Sequence, residues 1–287
     1  MIVTRFAPSP TGYLHLGHAY AAFVAAELGE RFLVRIEDID EGRCRPEYEA
    51  AILEDLRWLG LSFEQPALRQ SERHAAYREA LDSLAARGLL YPCFCTRKEI
   101  AEEVARAGEA PHDIATRLGP DGPLYPGTCR ALGESERARR IAAGEAYALR
   151  LDAAKAAALA GAMELAERGV RLPVNPLLFG DVMLARKGLA AAYHLAVVVD
   201  DAFQGVTLVT RGEDLFAASH VQRLLQTLLG LPAPVYLHHP LVLDETGKKF
   251  SKRDRAPTLR ALRAAGSSPQ EVHRRAYEAA VSMMSRR

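Results

Sequence analysis

The sequence predicts an α/β protein: a doubly wound parallel sheet, split by an inserted subdomain and followed by a short helical tail. Three observations carry this. The first sixty residues alternate strand, helix, strand, helix, as parallel strands joined by crossover helices do. The alternation breaks at residue 91, where cysteines, prolines and glycines collect, and resumes at 176. The length of 287 residues leaves room for a sizeable core around such a sheet. Residues 1–90 and 176–256 are thus read as the two halves of the sheet domain, 91–175 as the insertion and 257–287 as the tail.

In chain order, "IVTRF" (2–6) reads as a strand and "HAYAAFVAAELGE" as an alanine-rich helix closed by Gly29. "RFLVRIED" is a second strand, and 46–59 a helix opened by Pro46. Residues 71–88 carry helical apolar spacing. Residues 131–170 read as mostly helical, with an alanine-rich run at 153–162 as plain helix. Within "YHLAVVVDDAFQGVTLVTRGED", the runs "LAVVV" and "VTLVT" read as strands, with Tyr193 starting the first. A helix at 217–229 ends at Gly230 and Pro232, and "PVYLHHPLVL" is a last strand. A Gly- and Lys-rich loop and a basic helical tail follow, and the chain has no internal repeat.

Composition narrows the class. Hydrophobic content of 49% and charged content of 25% are those of a globular protein. The net charge of +1 excludes a global electrostatic footprint for nucleic acid, so RNA contact needs a local basic patch. Candidates are Arg253, Arg255, Arg260, Arg263 and the "HRR" at 273–275, whose default reading is a solvated helix face. No apolar run is long enough for a membrane, and the N-terminus lacks signal-peptide features, so a cytoplasmic protein with no membrane partner is expected. We expect a monomer.

Two loops carry chemistry. "RFAPSPTGYLHLGHA" (5–19) turns from the first strand into a helix start, where open α/β sheets bind ligands. Free N–H groups there suit phosphate, and Gly17 permits close backbone approach. His15 and His18, at i and i+3, share a face and suit a phosphate that gains charge in a transition state. "KKFSKR" (248–253) follows the last strand, and its Lys249 and Lys252 suit the triphosphate of ATP. The plainer readings are a proline-rich turn and a solvated lysine loop.

Of four cysteines, Cys93, Cys95 and Cys129 fall within 37 residues, while Cys44 stands apart as an ordinary residue. Three thiolates and a fourth ligand would make a tetrahedral structural zinc site; the alternative is buried free thiols. His112 lies in the same segment as a candidate fourth ligand.

"HLGH" and "KFSKR" resemble the HIGH and KMSKS signatures of class I aminoacyl-tRNA synthetases. With "VRIEDID", "YHLAVVVDD" and "VTRGEDL" they resemble the glutamyl-tRNA synthetase family, over residues 5–253. The resemblance implies a Rossmann-type fold whose insertion is an acceptor-type subdomain. It implies ATP with Mg²⁺ and L-glutamate as ligands. Arg5, Ala7, Ser9, Glu37, Tyr193 and Arg211 would hold the amino acid, and His15, Gly17, His18 and Lys252 the ATP. His15, His18, Lys249 and Lys252 would be catalytic, through electrostatics and without a covalent enzyme intermediate. Without the motifs, Arg5 and Glu37 read as strand-end charges in solvent. Asp38 and Asp40 are magnesium-related or, preferably, solvated carboxylates.

Only 34 residues follow Arg253, too few for the helical anticodon-binding part of a full glutamyl-tRNA synthetase. That points to the short, zinc-binding synthetase-like subfamily, which glutamylates queuosine at the wobble position of tRNA(Asp). Its Y-x-x-x-C pattern implies Tyr125 as fourth zinc ligand, although the Cys95–Tyr125 segment is longer than usual there. Val197 stands where glutamyl-tRNA synthetases commonly have an Asn lining the amino-acid pocket. The alternatives are a short enzyme charging a tRNA 3′ end, and a non-catalytic zinc-containing RNA-binding paralogue.

Overall fold

The computed structural model describes residues 1–108, 118–242 and 257–284. The first half runs β1 (Val3–Phe6), α1 (Leu16–Leu28), β2 (Arg31–Ile36), α2 (Pro46–Trp58), β3 (Leu68–Arg69) and α3 (His74–Ala86). The strands pair in parallel, β1 with β2 and β2 with β3. Next come β4 (Leu90–Cys93), α4 (Arg97–Gly108), β5 (Leu118–Gly119), β6 (Gly122–Pro123), α5 (Glu134–Ala142), β7 (Ala148–Leu151) and α6 (Ala153–Ala160). Then follow β8 (Glu164–Glu167), β9 (Val170–Pro173) and β10 (Met183–Arg186). The chain continues through α7 (Tyr193–Phe203), β11 (Leu208–Gly212), α8 (Ala218–Leu229), β12 (Val235–His239), α9 (Leu259–Ala264) and α10 (Pro269–Met284).

β11 pairs with β12 and β12 with β8, both in parallel, and β9 closes that edge antiparallel to β8. β11 lies beside β1: Thr207 N–H donates to Val3 O at 3.0 Å, and the Thr207 hydroxyl accepts from Val3 N at 2.9 Å. Val3, Leu33, Val206, Val209 and Tyr236 form one buried cluster across this seam. The strand order is therefore β3-β2-β1-β11-β12-β8-β9, and it reverses between β1 and β11. Such a reversal opens a crevice at the carboxyl ends of the strands.

β4, β7 and β10 form a separate antiparallel sheet. The two sheets interleave around residue 175: β8 and β9 join the parallel sheet, whereas β10 returns to the antiparallel one. Residues 131–170, expected to be mostly helical, hold α5 and α6 but also β7, β8 and β9.

The run "YHLAVVV", read as a strand, is helix α7. Leu195, Ala196, Val197 and Val198 are all buried, so no face of the run is polar and its period is uninformative. The β-branched valines lower helix propensity by only tenths of a kcal/mol each, roughly, which packing overrides. Packing does so here through Asp200, which accepts from Gln70 Nε2 (3.0 Å), Arg73 Nε (3.2 Å) and Tyr77 OH (2.7 Å) on and before α3.

The tail is part of the core. Val272, Ala276 and Ala280 of α10 are fully buried in the cluster that holds Ala22 and Phe23 of α1. Among the described residues no helix is long and apolar enough to cross a membrane.

Candidate active site

The proline-rich loop is pinned before it reaches the helix. Pro8 O accepts from Glu37 N at 3.0 Å, which ties the loop to the end of β2. Pro10 O accepts from Arg45 N at 3.0 Å, just ahead of α2. His15 caps α1 in extended geometry. Its Nδ1 accepts the Gly17 N–H at 3.2 Å, and His18 Nδ1 accepts the His15 N–H at 3.2 Å. With both Nδ1 atoms acting as acceptors, the ring protons sit on Nε2, so each neutral ring presents a donor. The rings lie 3.8 Å apart by centroid. A Cβ on Gly17 would come within 3.2 Å of the His15 ring, so glycine is what lets the cap close.

These groups line a cavity of about 630 Å³ at the β1/β11 switch point. Arg5, Ala7, Ser9, Glu37, Tyr193 and Arg211 line it, and so do His15, Gly17 and His18. The structure thus brings together all the described residues singled out for glutamate and ATP. Lys249 and Lys252 lie outside the described residues. Tyr193 reaches the wall from the first turn of α7, not from a strand. Val197 does not line the cavity: it is 1% exposed and sits in the core between α7 and α8.

Two buried arginines face the cavity from adjacent strands. Arg5 donates through Nε to Asp201 Oδ1 at 3.0 Å and through Nη1 to Thr210 O at 3.3 Å. Asp201 also accepts from Arg35 Nη1 at 2.7 Å. Burial would raise the Asp201 carboxyl, but Arg5 and Arg35 outweigh it and hold the pKa below its ordinary value. Arg35 Nη2 also reaches Glu37 at 3.5 Å. Burial still pushes the Glu37 carboxyl above its usual value, against the pull of Arg35 and Arg5. A ligand ammonium beside Glu37 would relieve that penalty.

Arg211 is held differently. It donates to His238 Nε2 (3.1 Å), Gln222 Oε1 (2.8 Å), Ser219 Oγ (2.6 Å) and Tyr193 OH (3.5 Å). Every one of these partners is uncharged, and no described carboxylate pairs with Arg211, although it is only 6% exposed. Burial, with the Arg211 charge, lowers the His238 pKa against the pull of Glu167.

The cysteines form a second constellation. Cys93, Cys95 and Cys129 place their sulfurs within 4.8 Å of one another. Tyr125 OH is 3.4 Å from Cys95 Sγ and accepts the Cys129 N–H at 2.9 Å. A tetrahedral zinc site has Zn–S of about 2.3 Å and hence S···S near ~3.8 Å, which this spacing accommodates. Burial pushes the Cys95 thiol up to about 12, while the Tyr125 hydroxyl and Phe94 N–H outweigh burial to hold Cys129 low. A bound cation would let all three sulfurs be thiolates, so the donor set fits a metal. His112 lies outside the described residues.

The other flagged charges are engaged elsewhere. Asp38 accepts from Ser71 N and Oγ at 2.9 and 2.6 Å, and Asp40 pairs with Arg43 at 2.8 Å. Arg263 pairs with Glu54, His273 with Glu27 and Arg274 with Glu278, while Arg260 contacts Tyr13 OH. Arg253 and Arg255 lie outside the described residues. Sequence reasoning missed Arg35, Asp201, His238 and Glu167. The adjacent acids in "VVVDD", at the end of an apolar run, were the available signal for Asp201.

The family model described as tRNA synthetases class I (E and Q), catalytic domain, matches residues 1–280. A glutamyl-Q tRNA(Asp) synthetase of Rhodobacter capsulatus is 50% identical over 282 residues, covering 95% of this chain and 99% of the relative. A glutamate–tRNA ligase of Aquifex aeolicus is 38% identical, covering 94% of this chain but 55% of its own length. The crystal structure of glutamate-tRNA synthetase from Elizabethkingia anophelis superposes with a TM-score of 0.70 at 29% identity, covering 88% of this chain and 53% of that one. The chain thus spans about half the length of such ligases and nearly all of the Rhodobacter relative. With the family model matched over residues 1–280 and the Rhodobacter relative matched over nearly its whole length, the chain belongs to the glutamyl-Q tRNA(Asp) synthetase family of class I tRNA synthetases.

Proposed function

We propose that the crevice activates glutamate with ATP and transfers it to queuosine in tRNA(Asp). The observation that carries the glutamate reading is Arg211, a buried guanidinium with only neutral partners, facing a cavity that also presents Arg5 and Glu37. An uncompensated buried cation calls for an anionic ligand group, and a guanidinium fork matches a carboxylate. Arg211 binds the side-chain carboxylate, Glu37 takes the ammonium, and Arg5 bounds the pocket between them. The acceptor is taken from what the Rhodobacter relative's name says.

Glutamate's α-carboxylate attacks the α-phosphate of ATP, a P–O bond forms and pyrophosphate leaves. The Nε2–H groups of His15 and His18, with Lys252, meet the negative charge that grows on phosphorus-bound oxygens. Magnesium bound with ATP would add charge neutralisation there. A nucleoside hydroxyl then takes the glutamyl group and AMP leaves. Cys93, Cys95, Tyr125 and Cys129 would hold a structural zinc that braces the inserted sheet.

The test uses ATP, Mg²⁺ and labelled glutamate with total tRNA from queuosine-replete and queuosine-deficient cells. Label on replete tRNA alone is expected. Equal label on both would mean 3′-end charging and overturn the queuosine reading, and no glutamate-dependent pyrophosphate exchange would overturn the glutamate reading too. For the cysteines, metal analysis is expected to give about one zinc per chain, released by chelation with loss of stability.

A further inference from the structure

Arg211 is oriented through a chain of groups that none of the motifs includes. Its Nε–H donates to His238 Nε2 at 3.1 Å, so Nε2 carries no proton. The ring proton is on Nδ1 and is donated to Glu167 Oε2 at 2.7 Å. Glu167 Oε1 accepts the His238 backbone N–H at 2.9 Å, so one carboxylate grips the same residue at ring and backbone. This is possible because β8 runs parallel to β12 with Glu167 in register with Tyr236. The ring is further confined by Phe216, edge-on at 5.2 Å, and by Tyr236, stacked at 5.9 Å. Glu167 itself is 12% exposed along its side chain and does not line the cavity.

We propose that Glu167 and His238 are positioning residues that set the carboxylate selectivity of Arg211. This rests on the reading of Arg211 as the side-chain carboxylate site. An Nε2–H tautomer of His238 would set an N–H against the Arg211 Nε–H, and a protonated ring would add a second cation; either displaces the guanidinium. Glu167 holds the one tautomer that accepts from Arg211. It also places negative charge one imidazole away, not on the guanidinium itself. A carboxylate directly on Arg211, like Asp201 on Arg5, would compete with the ligand's carboxylate for the same fork. The relay orients the arginine and leaves that competition out.

The test measures glutamate-dependent ATP–pyrophosphate exchange for Glu167→Ala, Glu167→Gln and Arg211→Ala, with KM for glutamate and ATP determined separately and glutamine as a competing ligand. For Glu167→Ala the KM for glutamate is expected to rise about 10- to 100-fold, with KM for ATP within about twofold of the wild type. The preference for glutamate over glutamine should fall in parallel. Glu167→Gln, which keeps one acceptor oxygen, should lie between. A merely structural role would lower the active fraction without moving the glutamate KM or the glutamine ratio. Folded Glu167→Ala with an unchanged glutamate KM overturns the relay. If Arg211→Ala also leaves that KM unchanged, the reading of the pocket fails as well; if Arg211→Ala raises it, only the relay fails. Should the variants not fold, ¹⁵N spectra of the His238 ring in the wild-type protein decide: an Nδ1–H tautomer is expected, and an Nε2–H or doubly protonated ring overturns the proposal.

Discussion

Arg5 and Arg211 occupy neighbouring strand ends, β1 and β11, and are buried to nearly the same degree, at 5% and 6% exposure. Their charges are settled in opposite ways. Arg5 shares Asp201 with Arg35, so its guanidinium is matched within the fold. Arg211 meets a histidine, a glutamine, a serine and a tyrosine, and the Glu167 carboxylate reaches it only through the His238 ring. A buried charge without a counter-charge costs free energy that the rest of the fold must offset. Strand β1 thus carries a structural arginine that also borders the cavity, whereas β11 carries one whose compensation is left to a ligand.

Substitutions separate these roles. Arg211→Ala should lower kcat/KM for glutamate about a thousandfold, since two charge-assisted hydrogen bonds to a carboxylate are worth roughly 3–5 kcal/mol. Its melting temperature should hold or rise, because an uncompensated buried charge is removed. A large fall in melting temperature with little change in glutamate kinetics would reverse the comparison.

His18→Ala should slow pyrophosphate exchange about 100- to 1000-fold, the cost of one lost transition-state donor. The glutamate KM should stay near its wild-type value, because the histidine meets phosphate and not the amino acid. A shift mainly in the glutamate KM would mean that the two ends of the crevice are not separate.

Arg35→Met tests the structural side. Arg35 is fully buried and lies outside the cavity lining, yet it pairs with Asp201 and Glu37. Breaking that network should cost about 3–5 kcal/mol, read by denaturant titration. Unchanged stability would mean that Arg5 alone suffices for Asp201.

The smallest effect is one of pH. The Asp201 pKa is depressed in the fold, so its contribution is present above the unfolded value of about 3.9 and is lost as pH falls through the folded value. Glu37 works the other way: its pKa is raised, so its contribution falls as pH rises from the unfolded toward the folded value. Asp201→Asn should therefore be less stable than the wild type at neutral pH, with the gap narrowing in acid. A gap that widens in acid would contradict the charge assignment.

Much of the site was legible from residue types at short range. The spacing of His15, Gly17 and His18 marks a helix start, and that start is where the structure caps α1. Arg5 and Arg211 were readable as strand-end arginines, and Cys93, Cys95 and Cys129 as a thiol group, because strand ends and close cysteine spacings leave local patterns. Val197 was not legible as a core residue, since an apolar run buried on all sides shows neither period. The same ambiguity hid α7, and with it the route by which Tyr193 reaches the cavity.

Local patterns in the chain set the alternation of elements in the first half, the capped double-histidine turn and the chemical types available at the crevice. Which carboxylate answers which cation depends on how the folded chain packs. Asp201 lies 196 residues from Arg5, and Glu167 meets His238 across 71. Helix starts and turns depend on neighbours within a few positions, so they are written locally. The compensation of a buried charge depends on which strands the sheet brings side by side, and that is settled when β11 comes to rest against β1 and β8 against β12.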